Sequence, residues 1–139
     1  MATAAEVVAH SFAAYNRHDL EGFIACYADD MTFASSSGEQ LQGKGAWRER
    51  TAPAFAMIPD IRLELGKCIA DGSSVAVEWT LRGTATNPIQ MPDGGPLLPA
   101  TGKSMAVPAA TVYEVRGGLI ASEHEYMDTG AMYAQLGLA

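Results

Sequence analysis

Positive charge is scarce in this sequence: nine Lys plus Arg stand against sixteen Asp plus Glu, with a pI near 4.8. Binding a phosphate backbone or an anionic lipid surface requires a surplus of cations to displace counter-ions, so neither nucleic acid nor a membrane surface is an expected partner. Cysteine is nearly absent too. Cys26 and Cys68 are the only two, without CxxC spacing, which excludes a disulfide framework and a thiolate zinc site. Both read as small core hydrophobes. Nowhere do eighteen apolar residues run together, and the opening MATAAEVVAH carries Glu6 and has no basic leader region. A reducing cytoplasm is the expected location.

What is present is enough for one core. The 139 residues are 48% hydrophobic, the size of a single domain spanning 1–139. Thr3 and Glu6 have capping-box spacing, and Val8, Phe12 and Tyr15 recur at helical intervals, which predicts a helix over 4–16. Asp19 can cap a short second helix carrying Phe23, Ile24 and Tyr27, after which DDMTFAS alternates as a strand ended by Ser36 to Gly38. Residues 44–58 place Trp47, Thr51, Phe55 and Ile58 at near-helical spacing, but Pro53 predicts a kinked or two-piece helix.

Four β-rich runs follow Pro59, with turn signals at Asp71-Gly72 and Gly117-Gly118, and read as three hairpins of one antiparallel sheet. The four prolines of 86–102 make that stretch a loop between the second and third of these strands. The tail places Met132, Leu136 and Ala139 on a terminal helix that Asp128 can cap. Helices first and a meander afterwards indicate an α+β domain with the helices on one face of a strongly bent sheet, which leaves a cavity.

Alternation assigns faces. Val75, Val77, Trp79 and Leu81 point inward on the longest strand, as do Met105, Val107, Ala109, Thr111 and Tyr113 on the next. On the last strand two sets compete: Ala121, Glu123, Glu125 and Met127, or Ser122, His124, Tyr126 and Asp128. Either contains a carboxylate. A carboxylate in an apolar cavity has its pKa raised toward neutrality and can remove a proton from a carbon next to a carbonyl, whereas a solvated strand face is the plainer reading of Glu123 and Glu125. His124 has no second His or Cys at metal spacing, so no metal site is expected.

Three segments, NRHDLEGFIACYADDMTF (16–33), SVAVEWTLRGTAT with TGK (74–86, 101–103) and GGLIASEHEYMDTGAMYAQLGL (117–138), resemble the SnoaL-like polyketide cyclases and the wider NTF2-like superfamily. The resemblance implies a cone, or cystatin-like α+β barrel, with three N-terminal helices packed on a strongly curved antiparallel sheet. It also implies a cofactor-free site for a hydrophobic small molecule, and a homodimer through the outer sheet face. In those cyclases and in the similar limonene-type epoxide hydrolases, the acid/base Asp precedes the Asp opening the last helix by three residues; that position here is Glu125. Glu123 then falls at a pocket-lining position. Tyr15, Phe33, Trp79, Thr111, Tyr113 and Met127 complete the expected wall. The cyclases' histidine facing the acid is matched by Thr111. The epoxide hydrolases' water-holding and acid-orienting positions read Phe33, Ser35, Trp79 and Leu81, which argues against water activation. The expected activity is cyclisation or isomerisation with Glu125 as general base; binding of a hydrophobic metabolite without chemistry is the alternative, and epoxide hydrolysis the third.

Overall fold

The structure, a computed structural model, describes residues 2–90 and 95–138. Helix α1 (Ala4–Asn16) starts with the capping box formed: Thr3 accepts from Glu6 N, and the Glu6 carboxylate accepts from Thr3 N. Its Val8, Phe12 and Tyr15 are buried, so the i, i+4, i+7 stripe is the face packed on the sheet. Asp19 caps α2 (Leu20–Ile24) by accepting from Gly22 N. This helix ends before Tyr27, which instead opens β1 (Tyr27–Ser35).

The sheet runs β2-β1-β6-β5-β4-β3, with β2 (Gln40–Gln42), β3 (Arg62–Asp71), β4 (Ser74–Thr84), β5 (Ser104–Arg116) and β6 (Leu119–Met127). It is curled but not closed. The three expected hairpins form antiparallel pairs from β3 to β6. The sheet as a whole is mixed rather than antiparallel, because β1 lies parallel to β6. The parallel pairing follows from connectivity: β1 and β6 meet at opposite ends of the chain, with no hairpin turn to impose opposite directions. The short strand β2, which pairs with β1, carried no sequence signal beyond three residues.

Helix α3 (Lys44–Met57) is one continuous helix with Pro53 inside it, not two pieces. Proline removes one donor, and the packing of Trp47 and Thr51 holds the rest together. Cys68 is exposed and Cys26 only partly buried, so the core reading of both fails for Cys68. It sits on edge strand β3 just past a break in register, where most side chains face water. Asp128 caps α4 (Thr129–Gln135) by accepting from Ala131 N, and Leu136 behind it is buried, whereas Ala139 lies outside the described residues. Ile89 and Leu98 bridge within the proline-rich stretch, whose residues 91–94 also lie outside the described ones.

The inner faces read as expected: Val75, Val77, Trp79 and Leu81 on β4, and Met105, Val107, Thr111 and Tyr113 on β5, are buried, with Ala109 partly buried against the same core. On β6 the odd set is the inner one, since Glu123 and Glu125 are buried while His124 and Tyr126 are exposed.

A candidate acid/base site inside the cone

Curling the sheet around α1 and α3 leaves a cavity of about 530 Å³, within the range of small-molecule sites. Its walls come from Phe12 and Tyr15 of α1, Trp47 of α3, Trp79 and Leu81 of β4, and Tyr113 of β5. Met132 and Tyr133 of α4 border it as well. Into this largely apolar cavity, whose border also includes Ser35, Ser37, Glu39 and Arg50, β6 projects Glu123 and Glu125.

Strand register fixes the neighbours of each carboxylate. Glu123 lies opposite Phe33 on one side and Tyr113 on the other; Glu125 lies opposite Ser35 and Thr111. The Glu123 carboxylate accepts from the Tyr27 hydroxyl at 2.5 Å. Burial pushes its pKa up to about 8, with the Glu125 charge adding to the rise and the Tyr27 hydrogen bond and Arg50 opposing it. At neutral pH Glu123 is therefore largely a neutral acid. Burial also raises Glu125, with the Arg50 charge lowering it and Glu39 raising it again. Among the described residues none donates a hydrogen bond to the Glu125 carboxylate; the residue is 9% exposed and borders the cavity. The phenols of Tyr27 and Tyr113 are raised well above their ordinary value by burial and by Glu123, and so stay protonated.

Of the side chains expected in the wall, Tyr15, Trp79, Tyr113, Glu123, Glu125 and Met127 border the cavity. Phe33 and Thr111 do not. Phe33 lies under Trp47, ring centroids 4.7 Å apart, and Thr111 stands behind Trp79, accepting its indole N–H at 2.8 Å. Both are supports, not contact surface. Thr111→Val keeps the shape of that support but strands a buried indole donor, which costs about 1–3 kcal/mol. A lowered urea midpoint measures it; an unchanged midpoint would show that the indole finds another acceptor.

Sequence reasoning missed Tyr27, Trp47, Glu39 and Arg50. Arg50 follows Trp47 by three residues and shares its helix face, so a cation on an otherwise inward-facing stripe was the available signal. The Trp47 indole N–H is buried with no hydrogen-bond partner among the described residues. Among those residues there is also no cluster of three or more His, Cys, Asp or Glu able to hold a metal, and no helix long and apolar enough to cross a membrane.

Solved structures share this architecture. A proposed polyketide cyclase from Pseudomonas putida KT2440 superposes with a TM-score of 0.78 at 25% identity, over 97% of this chain and 98% of that one. IdmH, a proposed polyketide cyclase from Streptomyces antibioticus, gives a TM-score of 0.81 at 23% identity, over 96% and 98%. A Catenulispora acidiphila protein with a ketosteroid isomerase-like fold, in complex with trimethylamine, gives 0.78 at 24%, over 96% and 94%. No curated protein matches the sequence. The SnoaL-like domain model matches residues 8–123, most of the length and nearly every element that builds the cavity, and the chain therefore belongs to the SnoaL-like domain family.

Proposed function

We propose that this protein is a cofactor-independent cyclase or isomerase acting on a hydrophobic, aromatic or polyketide-like carbon acid, with Glu125 as general base. Family membership supports the cyclase or isomerase type. The observation that carries the choice of base is the Glu125 carboxylate: inside a largely apolar cavity, raised by burial, and without a hydrogen-bond donor among the described residues to hold it ionised and inert. Glu123 is committed to Tyr27 and, being neutral near pH 7, is suited to donate a hydrogen bond to the substrate rather than to take its proton. Tyr113 is the second donor at that end.

The proton transfer itself is carried by Glu125 alone. Glu125 removes a proton α to a carbonyl; the resulting enolate is reprotonated at another carbon or attacks a second carbonyl in the same molecule. The test is α-C–H exchange in deuterated buffer over a panel of aryl and polycyclic ketones, read by proton NMR. Exchange well above the buffer rate that vanishes in Glu125→Gln supports the assignment. Equal exchange by the two proteins removes it.

A second reading, retention of a hydrophobic metabolite without chemistry, is favoured by one feature: the residue facing Glu125 across the hairpin is Thr111, already engaged by Trp79, so no side chain there relays a proton. A ligand retained unchanged, with no exchange on any ketone, selects it.

Self-association belongs to the same proposal. Val112 and Tyr126 are exposed on the sheet face opposite the helices, and a homodimer through that face would cover them. Sedimentation should then give twice the chain mass, and Tyr126→Glu should return the monomer.

A further inference from the structure

Among the described residues bordering the cavity, Arg50 is the single Lys or Arg. Its guanidinium is held from two directions. Nε donates to both carboxylate oxygens of Glu39 at 3.2 Å, and one Nη donates to that carboxylate at 3.1 Å. Its flat centre lies 4.8 Å from the centroid of the Phe33 ring and 5.5 Å from that of Trp47, close enough for the rings' negative faces to attract it. The other Nη donates to none of the described residues.

Neither Glu123 nor Glu125 forms an ion pair with Arg50, whose one such partner among the described residues is Glu39. Both are nonetheless near enough for their charges to raise its pKa, which burial alone would lower. A solvent-exposed Arg–Glu pair contributes little stability, so stability gives no reason to direct this one at a cavity. A guanidinium fixed by a bidentate partner and two rings, with one edge unspent, is a preorganised donor for an oxygen.

We propose that Arg50 is the oxygen anchor of this site, its unspent edge receiving the carbonyl oxygen of an enolisable ketone or ester and holding the charge that forms there when Glu125 takes the α-proton. This rests on the reading of Glu125 as base. The step balances without a further reactant. The C–H electron pair becomes the C=C bond, the carbonyl π pair moves onto the oxygen beside Arg50, and the proton resides on Glu125 until it returns to carbon or to the new alkoxide. Charge bookkeeping also selects the substrate class. Glu39 already neutralises Arg50, so ionised Glu125 leaves the cavity at one negative charge, which proton transfer merely relocates. A neutral ketone or ester fits that balance, and a substrate carboxylate adds a second like charge beside the buried Glu125.

The test uses 7-hydroxycoumarin, whose phenolate mimics the enolate oxygen and whose two forms differ in fluorescence. Glu125→Gln reproduces the neutral base that exists after proton transfer. In that variant the bound probe should titrate about one pH unit below its value in water, roughly a tenfold gain in phenolate over phenol. Adding Arg50→Met should abolish the gain, and Arg50→Lys should keep only part of it. Adding Glu39→Gln instead should increase it, because the fork loses its competing carboxylate; this variant carries the test should Arg50→Met fail to fold. The proposal is overturned if titration is the same with and without Arg50, if Glu39→Gln causes no increase, or if the Glu125→Gln protein shows no preference for phenolate, absence of binding included. No turnover is involved and Glu125 is already replaced, so failure here leaves the base assignment standing, and a wild type inert in the exchange assay leaves this result readable.

Discussion

Glu125→Gln is expected to lower turnover by about 10²- to 10⁴-fold, the usual contribution of a positioned general base, while the substrate KM changes little. Glutamine fills nearly the same volume between Ser35 and Thr111 but is neutral and cannot accept the proton. The pH profile adds an independent signature. A base works when ionised, and burial raises Glu125 above the ordinary carboxylate value of 4.5, so activity should rise with pH along a limb displaced upward from there. If neutral Glu123 donates to the substrate, activity should fall again as pH passes about 8, where that carboxyl ionises. Glu123→Gln should remove the alkaline limb and leave the acid limb in place. Arg50→Met should move the acid limb higher, since the Arg50 charge opposes the rise at Glu125. A Glu125→Gln enzyme within a few-fold of wild type would end the assignment.

The helices and hairpins were legible because local chemistry decides them. The capping box at Thr3, the Asp19 and Asp128 caps and the Gly turns all operate over three or four residues, and each forms as read. Alternation likewise placed Trp79 and Tyr113 inside. What escaped is non-local. The parallel β1–β6 pairing joins segments some ninety residues apart, and nothing within either strand encodes its partner's direction. Edge position exposed Cys68 in the same way, because burial there depends on whether another strand covers β3. At the site, alternation left the parity of β6 open, and the family resemblance selected the odd set that the structure buries. Alternation states which face a residue occupies but not which layer of that face, so it could not separate Thr111 and Phe33, standing behind the wall, from Trp79 within it. Arg50 was overlooked for a related reason: a charge on a helix is assigned to water by default, and its spacing of three residues from Trp47 was not followed. Glu39 from the loop and the Phe33 and Trp47 rings together hold it at the cavity border.

The wild-type protein should lose stability steadily as pH rises from about 5 to 9, and Glu123→Gln should remove much of that loss. The sign follows from proton binding. Unfolded, Glu123 titrates near 4.5; folded, its carboxyl is pushed up to about 8 by burial and by Glu125. Below 4.5 the group is protonated in both states and its contribution is fully present. Between the two values the folded chain binds a proton that the unfolded chain has released, so each pH unit removes up to about 1.4 kcal/mol, and the loss is complete once pH exceeds the folded value. Summed over that window the effect is on the order of a few kcal/mol, enough to lower the melting temperature by on the order of ten degrees in a domain of this size. Glutamine cannot ionise, keeps a carbonyl oxygen to accept from Tyr27, and should melt above wild type at pH 9 while differing little at pH 5. Glu125, raised in the same direction, should leave a shallower residual slope in the variant. Thermal melts of both proteins across this range decide the matter: parallel curves would mean that Glu123 enters the folded state already ionised, which would also deprive the substrate oxygen of its neutral acid.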